Sequence, residues 1–385
     1  MTQTTDTAPE AAPDEAARRT VRVPYDELLD FVTAVFVARD LPHDRARSAA
    51  EALCYGDLTG LGSHGVVNLT RLYLPLLASG RADPNAEPAV VADRGAAVLV
   101  DARRALGLWA AREMMDLACR RAAEHGIGLV TVRDMTHIGC AGHHAERATR
   151  HRMIGLTASN CGRQRIARPP GGRVAMLGTN PLSIAAPAGP SRPPFVLDMS
   201  TTVVPTGRVR VAARAGLPAP EGWLYDDQGR PVTDAAAFDR GEAHLAWLGG
   251  RPETGVYKGY GLGLLVEVLA ALVPGAGMGP EPEALEGTGG PSGRDDDIGL
   301  FMLAVAPDAL RSPDRYAADA ATLFGTLLAC PPVDEDAPVR YPGQLEAERA
   351  ELNLRDGVPL PAPIHAELRE LAAELGVNAP SGGES

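Results

Sequence analysis

Histidine 64 stands between Ser63 and Gly65 in GLGSHGVVNLTRL, residues 60–72, directly after a stretch with helical patterning, RARSAAEALCYGDLTG. An imidazole changes charge near neutral pH, so this group could pass a proton to or from a reacting oxygen or nitrogen. Ser63 could hydrogen-bond a substrate, and Gly65 permits close approach to the backbone. Polar Asn68 follows one turn later. Taken alone, the pattern favours a capping or core histidine.

Other segments carry chemistry-bearing residues at strand ends. In FVLDMSTTVVPTGR, Asp198 leaves a buried-looking strand and is followed by Ser200, Thr201 and Thr202. Amides and hydroxyls at such an exit could hold a phosphate, and Asp198 could orient a histidine. An Asx turn with surface hydroxyls fits the same residues. In AMLGTNPLSIAAP, Pro181 pushes Asn180 toward extended geometry, so Thr179 and Asn180 either line a pocket or simply make a turn. His137 ends a strand at a glycine-containing turn, a place where ligands are met in mixed folds, though a structural histidine suits it nearly as well.

HIGCAGHHAERATRH adds His143, His144 and His151. His144 and His151 could share a helix face that excludes His143. Spaced cysteines and H-E-x-x-H are absent from the sequence, so these read as solvated or hydrogen-bonded helix histidines and no metal is expected. KGYGLGLLVEVL lacks both the full G-x-G-x-x-G spacing and an upstream strand, and the chain has no G-x-x-x-x-G-K-[ST]. Neither common nucleotide fold is indicated.

The elements that must position these residues follow from periodicity. YDELLDFVTAVFVARD, PHDRARSAAEALCYGDL and VVNLTRLYLPLLASG predict three helices, with Pro42 helping to start the second. AVVADRGAAVLVDARR predicts two strands around a glycine turn. A helix over LWAAREMMDLACRRAAEHG should close at Gly126 and lead into a strand, IGLVTVRD. MIGLTASN, LSIAAPAG and PFVLDMS are short strands, and GWLYDDQGRPV is a hairpin around Gln228 and Gly229. Later come a helix in GYGLGLLVEVLAALV, a strand in IGLFMLAVAPDAL, and helices in RYAADAATLFGTLLAC and IHAELRELAAELG.

The organisation expected is α+β, with a disordered tail over 1–22, a helical part over 23–85, and a strand-rich body over 86–335. That body contains a flexible Gly/Pro/Asp loop over 279–297. The segment 336–385 should pack back on the first helices. The 385 residues carry a net charge of −12, which argues against nucleic acid and anionic membrane as partners. Five scattered cysteines without a CxxC pair fit a reduced, cytoplasmic setting. The N-terminus lacks the apolar core of a signal peptide, and no apolar run approaches the roughly 18 residues of a membrane helix.

Nine segments in order carry a resemblance: GDLTGLGSHG, VRDMTHIGCAGHH, IGLTASN, LGTNPLSIAAP, VLDMSTT, PEGWLYDDQGRPVTD, YKGYGLGLLVEVL, IGLFMLAVAP and LRDGVPLP. From about Val23 to Val377 the chain resembles the malate/L-lactate dehydrogenase family, which lacks a Rossmann fold and includes ureidoglycolate dehydrogenases, diketogulonate reductases and cyclic imino-acid reductases. The resemblance implies a strand-rich cofactor domain flanked by helices from both chain ends, and an intimate homodimer. It implies reversible reduction, with NADPH or NADH, of a C=O or C=N bond beside a carboxylate on a small molecule. His64 falls on the acid/base and Asp198 on its nearby carboxylate. Ser63, Asn68, His137, Thr179 and Asn180 fall around the substrate. Cofactor contacts fall on Ser200, Thr201, Thr202 and Thr206, on the Tyr257–Lys258 pair, and around Gly343.

Departures from the family pattern point to an atypical oxo or imino acid or carboxylate derivative, of the kind a biosynthetic pathway would supply. Asn68 stands where an arginine usually pairs with the substrate carboxylate, and Arg71 lies a turn further on. Asn cannot supply the charged fork of Arg. Thr59 replaces an arginine, and Gln344 an acidic residue. Arg163, Arg165 and Arg168 are candidates for the missing charge. The alternatives are a relative turned to a non-redox step such as cyclisation, elimination or isomerisation, and a catalytically silent partner subunit.

Overall fold

Proline starts the helical part. Pro24 and Pro42 precede α1 (Tyr25–Val37) and α2 (His43–Leu58), where the ring's fixed φ and missing N–H suit a helix start. Leu28, Phe31, Val32, Val35 and Phe36 of α1 pack against Ala46, Ala49, Ala50 and Leu53 of α2 at helical spacing. The third helical stretch contains a wide turn, Leu69–Tyr73, that runs into α3 (Leu74–Ala78). The computed structural model describes residues 19–287 and 289–384. The tail expectation for 1–18 lies outside the described residues. Thr20–Arg22, assigned to that tail, instead belong to β1 (Thr20–Val23).

A mixed sheet forms the body. It comprises β2 (Ala89–Asp93), β3 (Ala97–Ala105), β4 (Ile127–Met135), β5 (Ile154–Ser159), β6 (Leu182–Ala186), β7 (Phe195–Met199) and β11 (Ile298–Val305), in the order β2-β3-β4-β11-β5-β6-β7. Only β3 and β4 run parallel within it, joined by the crossover helix α4 (Gly107–His125) that Gly126 closes at φ 80°. The remaining pairs are antiparallel, so this is not a doubly wound nucleotide fold. β11 shows how alternation builds two layers. Leu300, Met302 and Ala304 enter the main core with α4, while Phe301 packs on the other face toward Val266 and Ala270. Those two belong to α7 (Val256–Glu267) and its continuing turn Val268–Leu272. The short helix α5 (Ala141–Glu146) covers β5, β6 and β7.

A second, smaller core joins α6 (Thr206–Arg214) to the sheet of β8 (Leu224–Tyr225), β9 (Pro231–Val232) and β10 (His244–Leu245), with Val209, Leu224, Phe238 and Leu245 buried. The hairpin expected around Gln228 and Gly229 is the β8–β9 pair. After α8 (Pro313–Leu328) and α9 (Gln344–Asp356), β12 (Val358–Pro361) pairs antiparallel with β1, and β13 (Gly383–Glu384) pairs on its other side. α10 (Ala362–Leu375) sends Ile364, Leu368 and Leu371 into the core of the first helices.

Two features differ from the sequence expectation. Helix α9 was not anticipated, because its residues QLEAERAELNLRD are mostly polar or charged and bury only Asn353. The segment 279–297 is tied down: Arg81 pairs with Asp295 and Asp296, Arg165 bridges to Ser292, and the Gly279 amide donates to Glu267. No described helix is long and apolar enough to cross a membrane.

Candidate active site

Helix α2 ends against its own continuation. Gly60 takes φ 80°, and a tight turn over Gly62–His64 folds the chain back over α2. Asp57 is buried and its carboxylate accepts the Val66 amide at 2.7 Å. A Cβ on Gly65 would sit 2.1–2.2 Å from the Asp57 carboxyl atoms, so only glycine fits. Asn68 Nδ2 donates to the Ser63 carbonyl at 2.9 Å, bracing the turn from the next helix. The turn is therefore held from both sides, and His64 is half-buried upon it.

His64 Nδ1 lies 3.1 Å from the Ser63 hydroxyl, and its ring stacks on His137 at 6.3 Å and 22°. His137 follows β4, and its Nδ1 accepts from the Gly139 amide at 3.1 Å and meets the Tyr73 hydroxyl at 2.8 Å. Because an amide can only donate, Nδ1 of His137 is unprotonated and the neutral ring carries its hydrogen on Nε2. Burial first, then electrostatic repulsion from the neighbouring His137 and Arg208, lowers the His64 pKa to about 4. Burial pushes Asp57 the other way, to about 7, against the pull of the Val66 amide. Near neutral pH, His64 is thus a neutral imidazole.

Asp198 is placed differently from expectation. At the end of β7 it accepts the Gly142 amide at 2.7 Å, in the first turn of α5, rather than contacting His64. Burial raises its pKa to about 6. Asp57 and Asp198 both raise the pKa of the buried Cys140 thiol, so the segment 137–142 runs between the two carboxylates. It presents His137 to His64 and Gly142 to Asp198.

Several predicted residues turn inward. Asn180 is fully buried at φ 40°, and its Nδ2 donates to the Gly263 carbonyl and to Glu267 at 2.8 Å. It braces α7 against the turn before β6 rather than facing a cleft. The Thr179 carbonyl accepts from Thr201, through both amide and hydroxyl. The hydroxyls of Ser200 and Thr202 donate to the Thr202 and Val204 carbonyls. These three hydroxyl protons are already engaged, which removes the donors a phosphate would need from them. Gly343, at φ 93°, lets the start of α9 lie against β7, where a Cβ would come within 2.8 Å of the Val196 nitrogen.

Groups suited to a nucleotide remain. Thr206 opens α6, and exposed Tyr257 and Lys258 stand at the start of α7. An exposed ring beside a cation that forms no ion pair among the described residues fits a base and a phosphate. Arg163 and Arg168 are spent on Glu281 and Asp227, and Arg165 gives one N–H to the Gly279 carbonyl. Among the described residues, no three His, Cys, Asp or Glu side chains converge on a metal position. His144 is buried and bonds the Ile138 carbonyl, while His143 packs edge-on against Tyr55.

Three residues of this site were missed by sequence reasoning: Asp57, Tyr73 and Arg208. Asp57 sits inside the GDLTGLGSHG stretch, so proximity was its only signal. Arg208 lines a cavity of about 390 Å³ with Ser63 and Trp223. A larger cavity, about 510 Å³, is lined by Arg81, Arg133, Asp101 and Asp295, whose charges pair with one another.

The sequence profile described as malate/L-lactate dehydrogenase matches residues 23–369. The malate dehydrogenase of Pyrococcus horikoshii is 31% identical over 358 residues, covering 93% of this chain and 96% of that protein. The (2R)-3-sulfolactate dehydrogenase (NADP(+)) of Chromohalobacter salexigens is 33% identical over 343 residues, covering 88% and 94%. The solved structure of delta1-piperideine-2-carboxylate reductase from Pseudomonas syringae superposes with a TM-score of 0.77 at 26% identity, over 91% of this chain and 99% of that one.

Proposed function

Because the chain belongs to the malate/L-lactate dehydrogenase family, we propose that this NAD(P)-dependent dehydrogenase reduces a C=O or C=N bond beside a carboxylate, with His64 as its proton donor and acceptor. The observation that carries this reading is the braced turn that presents a half-buried, neutral His64 against His137. Bound reduced nicotinamide supplies the hydride to the carbonyl or imine carbon. The protonated form of His64 gives its proton to the oxygen or nitrogen and is left as the neutral imidazole, so an oxo acid becomes a hydroxy acid and an imino acid an amino acid. In the reverse direction the neutral imidazole takes that proton. Such help is worth about 10²–10⁴-fold.

Tyr257, Lys258 and Thr206 are the residues we assign to the cofactor, since they are accessible at two helix starts. Asp198 acts as a positioning residue, through Gly142 and the segment bearing His137. The protein works as a homodimer, a reading supported by Leu264, Leu265, Val268, Leu272 and Val273. These form an exposed apolar stripe along α7 and its continuing turn.

Titration with NADH and with NADPH, followed by nicotinamide fluorescence, tests the reading. Saturable binding of one or both is expected, and His64→Ala should keep that binding while losing about 10²-fold or more in turnover. Unchanged turnover in this variant removes His64 from its role. Absence of binding for both nucleotides removes the reading as a whole.

A further inference from the structure

The cavity beside Ser63 carries one charged group on an otherwise largely apolar lining. Arg208 provides the charge; Val211, one turn along the same helix, lines it together with Leu217, Pro218 and Trp223. Arg208 forms no ion pair among the described residues, whereas its neighbour Arg210 binds Asp239 bidentately. Helix α6 is pressed against the catalytic turn, since a Cβ on Gly207 would lie 3.3 Å from Ser63 Cβ. The guanidinium therefore favours an anion at this place. Arg208 is also close enough to His64 for its charge to bear on the imidazole. Asn68 has no charge to offer and gives one amide hydrogen to the Ser63 carbonyl.

We infer that Arg208 grips the substrate carboxylate beside His64, and that the wall from Val211 to Trp223 receives an apolar substituent. The substrate class is then a 2-oxo or 2-imino monocarboxylate with an aliphatic or aryl side chain. A second acidic group on the substrate would meet Leu217, Pro218 and Trp223, with no second cation in the lining to pair with it. This inference rests on the function proposed above, and it adds the substrate's chemistry and the residue that selects it.

The test is steady-state reduction by the full chain of 4-methyl-2-oxopentanoate and phenylpyruvate against oxaloacetate and 3-sulfopyruvate, with each nucleotide. We expect kcat/KM to favour the two monocarboxylates by about 10-fold or more, in line with one missing charge pair. Arg208→Gln should raise the KM for 4-methyl-2-oxopentanoate by about 10²-fold with a smaller change in kcat, and Arg208→Lys should recover part of it. Trp223→Ala should narrow the preference for phenylpyruvate. Matching thermal melts and nucleotide affinities would show that the variants are folded.

Equal or better turnover of the dianions overturns the inference, as does an unchanged KM in Arg208→Gln. If that variant instead weakens nucleotide binding and leaves the acid's KM alone, Arg208 serves a cofactor phosphate and the inference fails. Nucleotide binding without turnover of either monocarboxylate sinks the substrate class but leaves the proposed function standing. Only the loss of nucleotide binding in the wild-type chain would remove both.

Discussion

A histidine that stays neutral down to about pH 4 is a base before it is an acid. Oxidation of the hydroxy acid needs that neutral imidazole, so kcat/KM for oxidation should hold level from pH 8 to about 5 instead of halving near the ordinary value of 6.5. A fall centred near 6.5, measured with saturating nucleotide, would contradict the burial of His64. The same shifts act on stability with opposite signs. The unfolded chain protonates His64 below 6.5, which the folded chain resists until about 4. The contribution of His64 is therefore complete above 6.5 and is lost as the pH falls toward 4. For Asp57 the folded value, about 7, lies above the ordinary 3.8, so its contribution is complete below 3.8 and is lost as the pH rises through 7. Asp57→Asn keeps an acceptor for the Val66 amide and removes the buried charge. Thermal melts should show this variant gaining on the wild type between pH 5 and pH 8; a wild type that gains instead would contradict the assignment.

Two elements position the site through contacts with no slack. The turn over Gly62–His64 is closed by Gly65, whose missing side chain makes room for Asp57. Gly65→Ala must displace either the turn or the carboxylate, and a shift of about 1 Å at a reacting group costs about 10²-fold in rate. We expect that loss in kcat/KM, with nucleotide affinity retained; full activity would show that the turn is looser than its contacts imply. Behind the sheet, Glu267 of α7 accepts from Asn180 at 2.8 Å and from the Gly279 amide at 3.2 Å, and is buried with both Asn180 and Asn160. Glu267→Ala strands these donors, so chemical unfolding should show a loss of about 3 kcal/mol. A change below about 1 kcal/mol would mean that water replaces the carboxylate.

For the whole molecule, the closing of the chain on itself matters most. β12 and β13 flank β1, and α10 completes the core of α1 and α2, so the helices that carry His64 depend on residues about 300 positions away. The stripe from Leu264 to Val273 is exposed among the described residues. Val268→Glu places a charge in its centre, and sedimentation should then show a single chain where the wild type runs as two. A wild type that sediments as one chain would remove the dimer.

The sequence by itself determined the local elements and the order of the motifs. The three- and four-residue apolar spacing of α1, α2 and α4, the Gly126 stop, and the turn between β8 and β9 each depend on residues within a few positions of one another. Ser63, His64 and Gly65 stood out by residue type, but the pattern alone favoured a capping or core histidine, and only the resemblance to a family pointed His64 to acid/base work. Only the tertiary structure decided the partners. Asp198 meets Gly142 across 56 positions, Arg81 meets Asp295 across 214, and Arg208 is brought beside Ser63 while Arg163 and Arg168 are paired elsewhere. Such pairings belong to packing: a charge free or spent on a neighbour looks identical in the sequence, and chain distance says nothing of which carboxylate will reach it.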